Sequence, residues 1–144
     1  MKTSIKSAAT AVVFFLAATF LISLVVLPGQ ALAGNFSDTC KNIRLNGNML
    51  RASCNTGRGT NERPIYDYST LTLDAGIGTK DGKLVWGGTN FSQVCSNISL
   101  VGSKTLKADC PNNLISVTST LNLDEKINNT NGVLMFDSTR SNLF

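Results

Sequence analysis

The hexapeptide NFSDTC at residues 35–40 returns as NFSQVC at residues 90–95. Near the end of each copy, STLTLDAGIGTKDGKLVW from Ser69 aligns without a gap with STLNLDEKINNTNGVLMF from Ser119. The offset between the copies is 55 residues at the first match and 50 at the second, so one repeat carries loop insertions, the larger within residues 55–68. Self-similarity of this kind indicates a repeat architecture.

We therefore predict two tandem repeats of about fifty residues. Repeat 1 covers about 35–86 and repeat 2 about 90–136, and a linker at 87–89 joins them. Apolar residues alternate with polar ones in both repeats, over 50–54 and 106–110. A period of two indicates strands with one buried face and one wet face. Because the repeats show no helical periodicity of useful length, the expected fold is all-β with short 3₁₀ turns.

Turn signals separate the predicted strands. Asn46-Gly47 predicts a hairpin in repeat 1 because both residues tolerate positive φ, and Gly102-Ser103 occupies the equivalent place in repeat 2. Asp81-Gly82 and Asn131-Gly132 predict a second turn in each repeat.

The hairpins select one of the three pairings that four cysteines allow. Cys40 and Cys54 are symmetric about the first turn of repeat 1, and Cys95 and Cys110 about the equivalent turn of repeat 2. A hairpin places such residues on facing strands, near the separation that a disulfide needs. We predict the disulfides Cys40–Cys54 and Cys95–Cys110.

Residues 1–33 are expected to be a secretory signal peptide. Lys2 and Lys6 give a positive start, residues 11–27 form an apolar run with a few small residues, and Ala31-Leu32-Ala33 is a small-x-small cleavage pattern. Cleavage leaves a single secreted or periplasmic domain. The alternative is an uncleaved membrane anchor, since the apolar run is at the lower edge of the roughly 17–25 residues that span a bilayer.

Charge and residue types argue against several functions for the domain at 34–144, whose tail begins at 137. The chain has 13 basic and 9 acidic residues. Loss of Lys2 and Lys6 with the signal leaves eleven basic and nine acidic residues. This net charge is too weak and too scattered to indicate nucleic-acid binding. There is no histidine, and cysteines in disulfides leave no thiolate, so we expect no metal or cofactor. Because cleavage removes the apolar segment, we also expect no membrane partner.

A carboxylate pair, as in glycoside hydrolysis, is the remaining catalytic option. Asp74, Asp81 and Asp124 are the candidates. Asp74 and Asp124 are equivalent positions just after a strand, where Asp commonly caps a turn through its own backbone. We therefore expect structural roles for them and no enzymatic activity.

The aromatic residues follow the repeats. Phe36 matches Phe91, and Trp86 matches Phe136. Positions that are aromatic in both copies predict the core of a small β-domain, because each ring buries a large area. The two tyrosines of the insertion have no equivalents in repeat 2, and we place no site on them.

Two copies of N-F-S-x-x-C-x-N-I, the hairpin to a second cysteine and the S-T-L-x-L-D…G-x-L-x-[WF] ending resemble the cyanovirin-N family over about residues 35–136. The resemblance implies an elongated fold of two pseudo-symmetric halves, each mixing strands of both repeats and carrying one carbohydrate site. Members of the family are mannose-binding lectins. The implied partners are oligosaccharides or glycoproteins with high-mannose glycans, recognised at terminal α1,2-linked mannose.

The resemblance also implies the positions of two sites. The first site, near the chain ends, comprises Asn35, Asp38, Thr39, Asn55, Thr56, Gly57, Asn129, Thr130 and Asn131. The second site comprises Gly78, Thr79, Lys80, Asp81, Thr89, Asn90, Gln93, Val94, Asn112 and Asn113. Short polar side chains and exposed backbone amides suit saccharide hydroxyls, which both donate and accept hydrogen bonds.

Both sites depart from the family pattern. In the second site, Gly78 stands where the family has a glutamate, Val94 replaces a threonine, and an arginine near Asn113 is missing. In the first site, Asn131 replaces an aspartate, and the insertion begins within the site. Our hypothesis is that the first site binds sugar better than the second. The alternative function is a structural or protein-binding module whose sugar sites have decayed.

The linker Gly87-Gly88-Thr89 stands where the family has a proline-containing hinge, through which relatives exchange halves. Two glycines lower the strain of a sharp bend. We therefore expect a monomer with at most a minor domain-swapped dimer.

Overall fold

The computed structural model describes residues 35–137, which form the predicted all-β architecture. The strands are β1 (Cys40–Asn46), β2 (Met49–Asn55), β3 (Tyr66–Thr72), β4 (Ile77–Lys80), β5 (Lys83–Trp86), β6 (Ser96–Val101), β7 (Thr105–Asn112), β8 (Ile115–Asn122), β9 (Ile127–Thr130) and β10 (Val133–Phe136). Short helical segments accompany them: α1 (Phe36–Thr39) and 3₁₀ turns at Leu73–Ala75, Phe91–Gln93 and Leu123–Glu125. The expected signal peptide and the tail after residue 137 lie outside the described residues. Between 35 and 137, no helix is long and apolar enough to cross a membrane.

The strands form two sheets and two hairpins. The first part of each repeat is a three-stranded antiparallel sheet, β1-β2-β3 or β6-β7-β8, and the second part is a hairpin, β4-β5 or β9-β10. Strand β10 of repeat 2 packs on β3 and β2, while β5 of repeat 1 packs on β8 and β7. Each half therefore combines the sheet of one repeat with the hairpin of the other, as the resemblance implies.

The hairpin turns require positive φ. Asp81-Gly82 and Asn131-Gly132 each have two consecutive residues in this region, the type I′ pattern, as predicted. In the β1-β2 hairpin, however, Asn46 pairs with Met49, so Gly47 and Asn48 form the turn, one residue later than predicted. Gly47 has φ 60° while Asn46 stays in the strand, because a turn with positive φ at its first central position favours glycine there.

Both predicted disulfides are present. Cys40 and Cys54 face each other across β1 and β2, with Cα atoms 4.0 Å apart, and the Cα atoms of Cys95 and Cys110 are 4.3 Å apart. Closing a loop of about 15 residues contributes roughly 3 kcal/mol in the chain-entropy model. That is a large share of the stability of a small domain.

The core combines the alternating residues of β2 and β7 and one phenylalanine from each repeat with buried leucines and isoleucines of the 3₁₀ turns and hairpins. Phe36 and Phe91 are both completely buried, which confirms that prediction. Trp86 and Phe136, also expected in the core, lie half-buried at its border. They end the two hairpins, and their rings meet edge to face with centroids 6.3 Å apart.

Asp74 and Asp124 join the two repeats, so the prediction that each caps its own turn was wrong. Asp74 accepts hydrogen bonds from the backbone N–H of Ser92 at 3.0 Å and from its hydroxyl at 2.5 Å. Asp124 accepts the same pair of bonds from Ser37, at 3.0 and 2.6 Å. Each carboxylate caps the first helical turn of the other repeat, because the hairpin that follows it packs in the other half of the molecule.

Candidate functional site

Asn129, on β9, connects three separate segments at the first site. Its side-chain nitrogen donates to the Thr39 hydroxyl at 3.1 Å and to the Asn55 carbonyl at 2.9 Å. Its side-chain oxygen accepts from the N–H of Gly132 at 2.9 Å. Thr39 ends α1, Asn55 ends β2, and Gly132 lies in the β9-β10 turn. One amide thus fixes groups that are far apart in the chain at a single place.

The start of the insertion forms one wall of the first site. The N–H of Gly57 donates to the side-chain oxygen of Asn55 at 2.8 Å, which makes a local turn. Thr56 is 2% exposed, and its hydroxyl donates to the Ile65 carbonyl at 3.2 Å and accepts from the Arg58 N–H at 3.1 Å. The Thr56 side chain therefore supports the site from below, whereas Gly57 is exposed.

The other predicted residues of the first site are exposed around Asn129. Asn35 forms an isolated β-bridge with Asn128, the neighbour of Asn129, and its carbonyl accepts from the Asp38 N–H at 3.1 Å. Thr130 ends β9 and Asn131 begins the turn that follows it. The structure thus brings the predicted first-site residues onto adjoining segments of one half of the molecule.

The second site is assembled mainly by backbone contact. A Cβ on Gly78 of β4 would lie 2.8 Å from the Gly88 Cα and 2.9 Å from the Thr89 nitrogen, so the linker lies directly on β4. A Cβ on Gly82 would lie 2.8 Å from the Cβ of Asn112, which places the end of β7 beside the β4-β5 turn. The linker therefore fills the space that a side chain at position 78 requires.

The remaining predicted residues of the second site lie on these same segments. Thr79 and Lys80 belong to β4, and Asp81 to the turn after it. The linker and the 3₁₀ turn behind it supply Thr89, Asn90, Gln93 and Val94, while Asn113 follows β7. The Asn113 side chain donates to that of Asn112 at 3.4 Å, a long hydrogen bond.

The two sites differ most at the position of Asn129. By repeat alignment, its equivalent in the second site is Thr79, and Thr39 is matched by Val94. Val94 is 54% exposed and has no hydroxyl, so the bond between Asn129 and Thr39 has no equivalent there. Side-chain hydrogen bonds therefore join the segments of the first site, and the bond to Thr39 has no counterpart in the second site.

The carboxylates with lowered pKa values serve the fold. Side-chain hydrogen bonds from the Thr118 hydroxyl and the Asn97 amide hold the pKa of Asp109 below its usual value. For Asp74, burial raises the pKa, but hydrogen bonds from Ser92 and Asn48 outweigh that effect and lower it. Neither carboxylate belongs to a predicted site. Over residues 35–137, no group of three or more His, Cys, Asp or Glu side chains converges to hold a metal ion.

Sequence reasoning missed a cleft beside the first site. This loop cleft has a volume of about 310 Å³ and is lined by Asn55, Gly57, Gly59, Thr60, Asn61, Pro64 and Tyr66. The signal for it in the sequence is an insertion, present in one repeat only, that ends in an aromatic residue.

A larger cleft, of about 430 Å³, lies away from both predicted sites. Its walls are repeat-related residues of β1 and β6 and their turns, including Leu45 with Leu100 and Gly47 with Gly102. None of the predicted site residues lines it. We therefore place the functional site at the two predicted sites and not at this cleft.

Comparison with known proteins agrees with this architecture. A family model described as the CVNH domain matches residues 36–135. The CVNH protein of Gibberella zeae is 38% identical with a TM-score of 0.63, over 73% of this chain and 99% of that chain. Microvirin, solved in complex with mannobiose, is 26% identical with a TM-score of 0.58, over 71% and 97%. A MoCVNH3 variant solved with (N-GlcNAc)4 is 24% identical and has the same fold, with a TM-score of 0.66 over 73% and 98%.

Proposed function

Because this chain belongs to the CVNH family of cyanovirin-N homologue lectins, we propose that it is a secreted lectin for mannose-rich glycans. The proposed ligand is terminal α1,2-linked mannose, bound at the first site through its hydroxyls. A saccharide hydroxyl both donates and accepts, so it fits a surface that offers amide, hydroxyl and backbone groups together. The mannobiose complex of microvirin supports the same class of sugar for this chain.

The observation that carries the proposal is the set of hydrogen bonds made by Asn129. These bonds hold Thr39, Asn55 and Gly132 in place through the protein's own groups. A sugar that binds there orders few protein groups, so little conformational entropy is lost on binding. Polar groups fixed in this way also reject ligands that lack hydroxyls, because the groups would then remain unpaired.

The second site is proposed to be the weaker one. The linker covers the position of Gly78, and Val94 offers no hydroxyl. Among the residues that the structure describes, no side-chain hydrogen bond joins the exposed Asn90 or Gln93 to β4 in the way that Asn129 is joined to α1. A sugar that binds at the second site would have to order more protein groups. The conformational entropy lost in this way lowers its affinity.

A titration with α1,2-mannobiose tests the proposal. We expect the protein, with both disulfides formed, to show amide NMR shifts on residues 35–39, 55–57 and 129–131. Thr39→Ala combined with Asn129→Ala removes the bonds that organise the site. We expect a loss of affinity of tenfold or more, about the effect of losing 1.4 kcal/mol of binding free energy.

Thr79→Ala is the matched control, because Thr79 is the repeat equivalent of Asn129. It should leave the shifts at the first site and the main affinity unchanged. Folding of each variant is checked from its amide spectrum. Mannobiose binding that survives Thr39→Ala with Asn129→Ala but is lost in Thr79→Ala would assign the main site to the other half.

Exposed apolar residues beside the second site favour a protein-binding module as the second candidate. Leu114 is fully exposed at the tip of the β7-β8 hairpin, and Ile115 next to it is 65% exposed. Single exposed apolar residues are common, but here Val94 adds a third in the half whose sugar site is weaker. A glycan array without any binding, neither of mannosides nor of (N-GlcNAc)4, would favour this function over the lectin.

A further inference from the structure

Repeat 1 contains a loop that repeat 2 lacks. Strand β2 ends at Asn55 and β3 begins at Tyr66, which leaves residues 56–65 between them. In repeat 2, only residues 113 and 114 separate β7 from β8. The loop therefore makes the first half of the molecule differ in shape from the second.

The loop is ordered by its own contacts. The Thr56 N–H donates to the Ile65 carbonyl at 2.9 Å, which closes the loop at its base. The Arg63 N–H donates to both the carbonyl and the hydroxyl of Thr60, each at 3.1 Å. A Cβ on Gly59 would lie 2.5 Å from the Arg63 carbonyl, so the two sides of the loop touch. A loop held in this way keeps a preformed surface.

The loop cleft opens on this ordered loop and continues from the first site. Asn55 and Gly57 line the cleft and are also predicted first-site residues. The Asn55 carbonyl is bound by Asn129, so the cleft and the first site share a fixed boundary. The volume of about 310 Å³ is at the lower end of the range for pockets that bind small molecules.

The lining of the cleft suits an uncharged sugar ring. None of its residues carries a charged side chain, and Thr60 and Asn61 supply hydroxyl and amide groups. Tyr66 adds an aromatic ring, which offers an apolar surface to the C–H side of a pyranose. The Lys41 ammonium covers one face of that ring, 3.5 Å from its centroid, so a sugar would pack on the opposite face.

We propose that the loop cleft is an extension subsite, which binds a further neutral hexose of the oligosaccharide whose terminal unit occupies the first site. This inference rests on the proposed function. It predicts a preference for longer oligosaccharides that arises in one half of the molecule only. The contacts to the added ring come from the insertion, so the second site has no such preference.

The test compares α1,2-mannobiose with linear α-mannotetraose by calorimetry and amide NMR. For the unaltered protein we expect about fivefold tighter binding of the tetrasaccharide, the effect of one or two net hydrogen bonds. The amides of Thr60 and Asn61 should shift with the tetrasaccharide and not with mannobiose. Tyr66→Ala and Asn61→Ala should each lower the affinity ratio toward one while the affinity for mannobiose is kept.

Tyr68→Ala is the matched control, since Tyr68 is 67% exposed, lies two residues further along β3 and does not line the cleft. It should keep the full ratio. If the ratio persists in both Tyr66→Ala and Asn61→Ala, or if the tetrasaccharide binds no tighter than mannobiose, the subsite is refuted and the lectin function stands. If neither sugar binds, the proposed function and the subsite fail together.

Discussion

Equivalent aspartates join the repeats, yet each receives a different third partner from the first hairpin turn of its own repeat. The Asn48 amide donates to Asp74 at 2.7 Å, whereas Lys104 forms an ion pair with Asp124 at 3.5 Å. The Lys104 side chain is 51% exposed, and ion pairs with exposed partners contribute little, about 0–1 kcal/mol. The paired bonds from serine, which both aspartates share, are therefore the main contribution of each carboxylate to stability.

Asp74 should make the stability of the fold depend on acidity. Burial raises its pKa, but the bonds from the Ser92 hydroxyl, the Ser92 N–H and the Asn48 amide outweigh burial and hold it below the ordinary value of 3.8. Ionised Asp74 therefore stabilises the folded state above pH 3.8, and this contribution is lost as the pH falls through the lower folded pKa. We expect urea unfolding of Asp74→Asn to depend less on pH below pH 3.8 than that of the unaltered protein.

Ser92→Ala supplies a second variant for this prediction. It removes the hydroxyl donor and keeps the carboxylate, so it should reduce the pH dependence in part. Both variants should also lower the free energy of unfolding at neutral pH by about 1 kcal/mol, the usual cost of losing a helix cap. An unchanged pH dependence in Asp74→Asn would show that the carboxylate titrates alike in the folded and unfolded states.

At the scale of the elements, the turn glycines differ in what surrounds them. Gly132 has φ 93°, and a Cβ there would lie 2.9 Å from the Thr56 methyl carbon. Gly47 has φ 60°, but a Cβ there would meet open space. We expect Gly47→Ala to cost about 1–2 kcal/mol, the price of a left-handed backbone, and Gly132→Ala to cost distinctly more.

Gly132→Ala should also weaken the binding of mannobiose, because the Gly132 N–H donates to Asn129 and a displaced turn disturbs that bond. Gly47→Ala, far from Asn129 in the fold, should leave binding unchanged. Urea denaturation and calorimetry measure the two effects. Equal stability losses for both variants would mean that Thr56 moves aside freely.

Elements whose cause is local could be predicted from the sequence. The alternation at Leu50, Ala52 and Cys54 predicts the half-buried strand β2, and Asn131-Gly132 predicts the β9-β10 turn, because neighbouring residues determine both. The partner of Asp74 could not be found in this way, since Ser92 belongs to the other repeat. The positions of the first site came from family resemblance, whereas the role of Asn129 as their connection depends on how β9 packs beside α1.

At the scale of the whole molecule, the linker decides whether each half is completed by one chain or by two. Each half needs strands from both repeats, and the same contacts can form between two chains that exchange halves. In this structure the linker bends onto β4: the Gly87 N–H donates to the Gly76 carbonyl at 2.9 Å, and Gly88 touches Gly78. Close contact of two glycines therefore favours the closed monomer.

We expect the protein to be monomeric at low micromolar concentration in size-exclusion chromatography with light scattering, and Gly88→Ala to shift it toward a dimer. A Cβ on Gly88 would lie 2.6 Å from the Gly78 Cα, so the linker must leave β4. In Gly88→Ala the closed monomer loses the contact between residues 88 and 78. A swapped dimer with an extended linker does not need that contact, so its stability is unchanged. Thr89→Ala is the control and should stay monomeric. A dimer of the unaltered protein at low concentration, or a Gly88→Ala variant that is less stable yet still monomeric, would show that the linker does not control the exchange.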